Sequence, residues 1–174
     1  MDFDLLLIQK MKRGNENAFD IFVRKHYEEI LKYCSYHCLD TSYAEDLTQE
    51  TFLHFFEKIS DYRYIGKTRN YLYTIAGNLC RDYYKKTKES LLEESPKDIQ
   101  SSLHQSEAED ILNKIAIEAA LNHLPEEFRE VIVLYYFQEL KLAEIAHVLQ
   151  IGLPLVKYRI RQAKMRLEKL LREE

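Results

Sequence analysis

Apolar residues recur along most of the chain at three- and four-residue spacing, the period of helices with one buried face. Asp4 to Arg13 reads as a first helix stopped by Gly14, and Asn15 or Asn17 can cap a second from about Glu16 to Cys38. A third opens at Ser42, where Ser-x-x-Glu with Glu45 fits a capping box, and runs to about Ile59. A fourth spans roughly Lys67 to Lys86. Further on, helices are predicted at about Ala108–His123, at Glu126–Phe137 behind a first-turn Pro125, at Leu142–Leu149 and at Pro154–Leu171. Four Gly and three Pro leave little material for the tight turns of a β fold, so the fold class is all-α.

Between the fourth and fifth helices, residues 88–105 (KESLLEESPKDIQSSLHQ) are polar and lack sustained apolar periodicity. A structureless loop of that length is uncommon inside one compact domain. The reading is therefore two small helical domains, 1–88 and 108–174, joined by a flexible acidic linker, 89–107, that lets them move independently in the free chain.

Composition adds constraints. A content of 46% hydrophobic and 31% charged residues is the balance of a soluble globular protein. No apolar run approaches the roughly 20 residues of a membrane span, and Leu5–Ile8 is too short for a signal-peptide core, so a cytoplasmic protein is expected. Three cysteines without an export signal argue against a disulfide framework.

The net charge of −4 conceals an alternation. Residues 63–88 carry seven cations against Asp82 alone, residues 89–110 carry seven acids against Lys97, and residues 154–174 carry seven cations against three glutamates. Two basic patches with an acidic divider suggest two contacts with one polyanion.

Three faces have more to do than fold. The third helix puts Ala44, Leu47, Thr51 and Phe55 on a core stripe, and opposite them Asp46, Gln49, Leu53 and Glu57, with Glu50 and Phe56 at the margins. Apolar groups rimmed by acids suit a basic protein partner. The fourth helix buries Leu72, Ile75, Ala76, Leu79 and Tyr83 and turns Asn70, Thr74, Arg81, Tyr84, Lys85 and Lys88 outward. Tyr62, Arg63, Tyr64, Lys67 and Arg69 precede it, and Tyr71 and Tyr73 add rings, which makes an aromatic and cationic surface suited to unpaired bases and their phosphates. The last two helices form a candidate helix-turn-helix. Its second helix buries Val156, Ile160, Ala163, Leu167 and Leu171, faces outward with Tyr158, Arg161, Gln162 and Met165, and is flanked by Lys157, Arg159, Lys164 and Arg166.

At these residues the chain resembles the sigma-70 family of bacterial transcription initiation factors. DLTQETF at 46–52 resembles its D-x-x-Q-E-x-F segment, and YLYTIAGNLCRDYYKK at 71–86 its W-L-x-x-I-A-x-N-x-x-x-D-x-x-R-K segment. LPEEFREVIVLYYFQELKLAEIAHVL at 124–149 and VKYRIRQAKMRLEKLL at 156–171 resemble its fourth domain. With no other domains in the sequence, the extracytoplasmic-function (ECF) subgroup is implied, with a sigma domain 2-like four-helix domain and a sigma domain 4-like helix-turn-helix domain.

The resemblance implies a non-enzymatic, cofactor-free alternative sigma factor serving a stress or signal response. Its partners would be core RNA polymerase (the clamp helices of the largest subunit and the flap of the second-largest), promoter DNA and an anti-sigma factor. Asp46, Gln49, Glu50 and Leu53 would meet polymerase. Tyr62, Arg63, Tyr64, Lys67, Arg69, Asn70, Asn78, Arg81 and Lys85 would meet the −10 element and hold a flipped base. Lys157, Tyr158, Arg159, Arg161, Gln162, Lys164 and Arg166 would read the −35 duplex. In this chain Tyr71 replaces the usual Trp, Leu155 stands where a Thr commonly caps the recognition helix, Tyr158 replaces a Ser, and Gly152 is shifted from the usual turn glycine.

Two rival readings come from the residues. An ordinary helix-turn-helix regulator would bind duplex operator alone, usually as a dimer, but leaves the acidic-apolar third helix and the tyrosine-rich surface unexplained. A metal or redox sensor would use Cys34, His37 and Cys38 on one helix, with His26 two turns earlier, although such residues more often simply pack. No phosphate-cradling Gly loop, H-E-x-x-H or G-x-S-x-G is present, which leaves no catalytic reading.

Overall fold

The computed structural model describes residues 2–38, 40–91 and 108–173. Its elements are helices α1 (Phe3–Lys12), α2 (Glu16–His37), α3 (Thr41–Glu57), α4 (Thr68–Leu91), α5 (Ala108–His123), α6 (Glu126–Ile132), α7 (Leu142–Leu149) and α8 (Leu153–Arg172), with a π-helical turn, Val133–Phe137, after α6. Most of the expected acidic linker, residues 92–107, lies outside the described residues.

Local signals set the boundaries of the first bundle. Asn15 caps α2 by accepting from the Ala18 N–H at 3.1 Å. The expected capping box at Ser42 is replaced by Asp40, whose carboxylate accepts from the Ser42 N–H at 2.8 Å and starts α3 one residue earlier. An anion there also suits the positive end of the helix dipole. Helices α1 to α4 close around Leu7, Ile8, Phe22, Ile30, Phe55, Leu72 and Ala76, with the Phe22 and Phe55 rings stacked at 5.0 Å.

Gly77 marks the tightest approach in this bundle. A Cβ at that position would come within 2.9 Å of the Tyr33 hydroxyl, on a ring that is itself fully buried. Helix propensity would favour Ala by about 1 kcal/mol, whereas overpacking a core costs about 1–3 kcal/mol. Gly77→Ala is therefore expected to destabilise the chain by about 1–2 kcal/mol in denaturant melts, and a more stable variant would show that α2 can move away.

In the C-terminal part α5, α6 and α7 pack on α8 around Leu121, Leu124, Phe128, Ile132, Ile145, Val156 and Ile160. The helix expected to continue to Phe137 widens instead at Val133. The Gln138 N–H reaches back to the Val133 carbonyl at 3.0 Å, and Glu139 closes the turn at φ 54. This extra residue of winding turns the Phe137 ring toward Tyr36 of α2, with centroids 4.4 Å apart.

The two parts, expected to move independently, share an interface. Helix α4 packs on α7, α2 touches the π-turn, and the buried apolar side chains of both parts form one contiguous cluster.

Candidate nucleic-acid interface

On α3 the outward side chains Asp46, Gln49, Glu50, Leu53 and Glu57 are all exposed, and Leu53 retains 61% of its surface. Glu50 lies 3.5 Å from His54 one turn on. Phe56, expected at the margin of this face, is instead half-buried against Phe19 and Phe22, so Leu53 is the apolar centre of the patch.

The aromatic-basic segment before α4 is anchored from below. The Tyr62 ring stacks on Tyr71 at 4.9 Å and meets Phe55 edge-on, and Lys12 donates to the Tyr62 carbonyl at 2.6 Å. The Tyr64 hydroxyl donates to Asp2, and that hydrogen bond pushes its phenol up to about 12. Arg63 is exposed and Arg69 half-buried. At the tip, Ile65 keeps 80% of its surface beside Gly66, which sits at φ +128. Sequence reading passed over Ile65, although an isolated Ile in a polar loop next to Gly is a signal in itself. A cleft of about 340 Å³ lies behind the segment, lined by Tyr62, Arg63, Lys67, Asn70, Tyr71 and Thr74, with His147 of α7 along one side.

The rest of the α4 face is engaged by the C-terminal part. Lys67 pairs with Glu144 at 2.6 Å, and the Asn70 amide donates to the same carboxylate at 3.4 Å. Arg81 donates to Glu130 at 3.0 Å and also to Asn78. Tyr84 lies under the Arg129 guanidinium, 5.1 Å from ring centroid to cation, and Lys85 is exposed. Tyr73, expected among the surface rings, is 1% exposed and donates to the Gln138 side chain at 2.7 Å. The wheel placed Tyr73 off the bundle's own stripe; a second buried stripe, facing the C-terminal part, takes it in.

Two carboxylates in this interface are shifted in opposite directions. Burial pushes Glu130 up to about 7, with the attraction of Arg81 too small to compensate. For Glu144 burial also acts upward, but hydrogen bonds from Lys67, the Lys141 N–H and Asn70, together with the Lys67 charge, outweigh it and hold the carboxyl at about 2. Its part of the interface is therefore intact above about pH 4.5 and is lost as the pH falls toward 2.

On α8, Val156, Ile160 and Ala163 are buried, while Lys157, Tyr158, Arg161, Lys164, Met165 and Arg166 are exposed and Arg159 and Gln162 half-buried. Arg159 lies 3.9 Å from Glu127, and Arg166 stands 4.5 Å over the Phe128 ring. Lys164 rests against the Tyr135 and Tyr136 rings, and its hydrogen bond with the Tyr136 hydroxyl is the main cause that raises its ammonium above the ordinary lysine value. The cap works differently from the expectation at Leu155. Gly152 is the cap residue, with extended backbone and no side-chain bond, Leu153 begins the helix and Pro154 sits in its first turn. The left-handed turn position belongs to Gln150, φ 54, which explains why Gly152 looked displaced.

His26 is turned to Asp4 at 3.1 Å and Glu29 at 2.7 Å, and among the described residues no three His, Cys, Asp or Glu side chains are placed to hold a metal ion. Cys34 and Cys38 are buried and unbridged, as is Cys80 of α4.

Comparison with known proteins decides between the remaining readings. Residues 22–90 match Sigma-70 region 2, and residues 114–167 match Sigma-70, region 4. The chain is 30% identical to the ECF RNA polymerase sigma factor SigW of Bacillus subtilis (strain 168), over 95% of both chains. It is an ECF sigma factor of the sigma-70 family. SigM of Bacillus subtilis (strain 168), also an ECF sigma factor, is 28% identical over 88% of this chain and 94% of its own. Among solved structures, CnrH in complex with the cytosolic domain of CnrY superposes on this sigma factor with a TM-score of 0.78 at 24% identity, covering 99% of both chains. The sigma factor RpoE of Bartonella quintana, in complex with the anti-sigma factor NepR, gives 0.75 at 21%, covering 88% of this chain and 96% of its own. Both share the all-helical fold. Among the described residues no helix is long and apolar enough to cross a membrane.

Proposed function

We propose that this sigma factor binds core RNA polymerase and directs it to a two-part promoter in the cytoplasm, under the control of an anti-sigma factor. The observation that carries the reading is the presence, on one chain, of an exposed acidic-apolar face on α3 and two basic faces on α4 and α8. A regulator acting alone has no use for the first of these. Asp46, Gln49, Glu50 and Leu53 meet the clamp helices of the largest subunit, and the C-terminal domain meets the flap of the second-largest. The segment Tyr62–Arg69, with Asn70, Asn78, Arg81 and Lys85, takes the opened −10 strand. The cleft beside Tyr62 and Asn70 suits an extruded base, since it offers stacking rings, an amide and cations together. Helix α8 lies in the −35 major groove. Domains at 1–88 and 108–174, with a linker between, allow the two contacts to be made at once.

The polymerase contact tests this reading. Replacing both Gln49 and Glu50 by Ala should leave thermal stability within about 0.5 kcal/mol, as surface changes usually do. Affinity for core polymerase should fall about tenfold or more, roughly 1.4 kcal/mol, in a titration of labelled chain with core. Undiminished affinity would place the polymerase contact elsewhere.

A further inference from the structure

We propose that Leu155, together with the Tyr158 ring, selects a thymine in the −35 duplex by closing on its C5-methyl group. The inference rests on the reading of α8 as the −35 helix and names what its first two turns recognise.

The N-terminal half of α8 turns an apolar face outward. Val156 and Ile160 are buried, whereas Pro154, Leu155 and Tyr158 are exposed, Leu155 keeping 38% of its surface and Tyr158 48%. From residue 153 to 158 the one charged side chain is Lys157, on the flank. The helix start adds no polar group of its own: Gly152 is the cap residue, no side chain bonds there, and Pro154 carries no N–H. Folding does not call for this composition, because a Leu left in water at the start of a helix contributes little to stability.

The surroundings say what covers the face. Exposed Lys157, Lys164 and Arg166 flank it and Arg161 continues it, so the partner carries phosphate. In a recognition helix laid in the major groove, the N-terminal residues are the ones that meet base edges. The one apolar group that those edges display is the C5-methyl of thymine. Their other features are donors and acceptors, which an aliphatic side chain would strip of water and leave unpaired.

Spacing agrees with a single methyl held between two side chains. Residues three apart on a helix have Cβ atoms about 5–6 Å from each other, near enough for the Leu155 and Tyr158 side chains to meet the same group. Arg161 lies six residues further on, about 9 Å along the axis, so its guanine belongs to a different base pair.

The test uses holoenzyme, the full chain with core polymerase. Duplexes that it retains from fragmented genomic DNA of the source bacterium supply the −35 motif, and one of them is resynthesised with deoxyuridine in place of each motif thymine in turn. Uracil pairs as thymine does and lacks only the methyl. At one position the replacement should weaken holoenzyme binding about fourfold, the equivalent of one buried methyl. Leu155→Ala should bind the thymine and uracil duplexes equally at that position, and Tyr158→Ala should shrink the difference. Arg161→Ala should bind both more weakly and keep the difference between them. Leucine and alanine are both good helix formers. Should Leu155→Ala nonetheless misfold by circular dichroism, Tyr158→Ala carries the same comparison.

Equal binding of every uracil duplex by the wild-type holoenzyme would overturn the proposal, as would a −35 motif without thymine on either strand. A uracil penalty that survives in both Leu155→Ala and Tyr158→Ala would assign the methyl to another side chain and overturn it too. Loss of core affinity in Leu155→Ala with the penalty intact would place a protein on this face, which also overturns it. Failure of the wild-type chain to give transcripts with core would instead remove the sigma reading, and thymine and uracil duplexes bound by the chain alone would then decide what Leu155 contacts.

Discussion

Arg161→Ala is expected to weaken holoenzyme binding to the preferred −35 sequence by about 1–3 kcal/mol and to flatten discrimination at one base pair. Arg161 is exposed directly opposite the buried Val156, Ile160 and Ala163, so its guanidinium can enter the groove and donate two hydrogen bonds to a guanine. Lys164 provides the contrast. Its ammonium rests on the Tyr135 and Tyr136 rings at the side of the helix, a position from which it can neutralise a phosphate. Lys164→Ala should weaken all duplexes alike and reduce the salt slope by about one ion. Binding of −35 variants at several salt concentrations separates the two. Equal losses from Arg161→Ala on every variant would make Arg161 another phosphate contact and shift the readout to Tyr158 or Gln162.

Glu130→Gln should make the chain more stable, increasingly so as the pH rises. Burial raises the Glu130 carboxyl to about 7 in the folded chain, against an ordinary value near 4.5. A raised carboxyl binds its proton more tightly folded than unfolded, so its contribution is complete below about pH 4.5 and is lost as the pH rises through 7. His37 acts in the opposite sense. Burial, with Arg129 and Arg81 nearby, lowers it to about 3, so stability is lost as the pH falls from 6.5 toward that value. A wild-type profile alone would mix the two groups. Glutamine resembles the protonated acid in shape and still offers Arg81 an acceptor, while His37 is common to both chains. The advantage of the variant should therefore grow by about 2–3 kcal/mol between pH 5 and pH 8 in denaturant melts. A constant difference across that range would show that Glu130 is ionised throughout and satisfied by Arg81.

Much of the fold was legible because helical periodicity records burial within a helix's own bundle. The expected bounds of α2, α5 and α7 lie within one residue of the observed ones, and α3 and α8 start within a residue of expectation. The part that was not legible is the interface between the two parts. Its hydrogen bonds link Asn70, Tyr73 and Arg81 on the α4 side to Glu144, Gln138 and Glu130 on the other, mostly polar side chains that add nothing to the apolar periodicity of either part. A polar stripe reads as a solvated or DNA-binding face whether or not a second domain lies on it. That is also why Tyr73 was assigned to the surface. The π-turn was missed for a related reason, since Val133–Phe137 continues the apolar run of α6 and only the left-handed Glu139 beyond it betrays the change of winding.

The candidate faces were legible to different degrees. The α3 patch and the α8 surface could be read from a wheel because each is the far side of a well-marked core stripe. Around α4 the chemistry was readable, in its tyrosines and cations, but not the geometry. Tyr62 and Tyr71 stack on one another, Tyr64 is tied to Asp2, and Ile65 stands at the tip. These arrangements depend on Asp2 and Lys12 at the two ends of α1, far from α4 in sequence, and on the backbone turn at Gly66.

The most direct test of the account is reconstituted transcription. Purified core polymerase, fragmented genomic DNA from the source bacterium and the full chain should together yield transcripts absent with core alone, and their start sites should share one two-part upstream motif. The Gln49→Ala, Glu50→Ala double variant should yield few of them. A chain that adds no transcripts to core, yet binds a duplex operator tightly as a dimer on its own, would contradict the assignment.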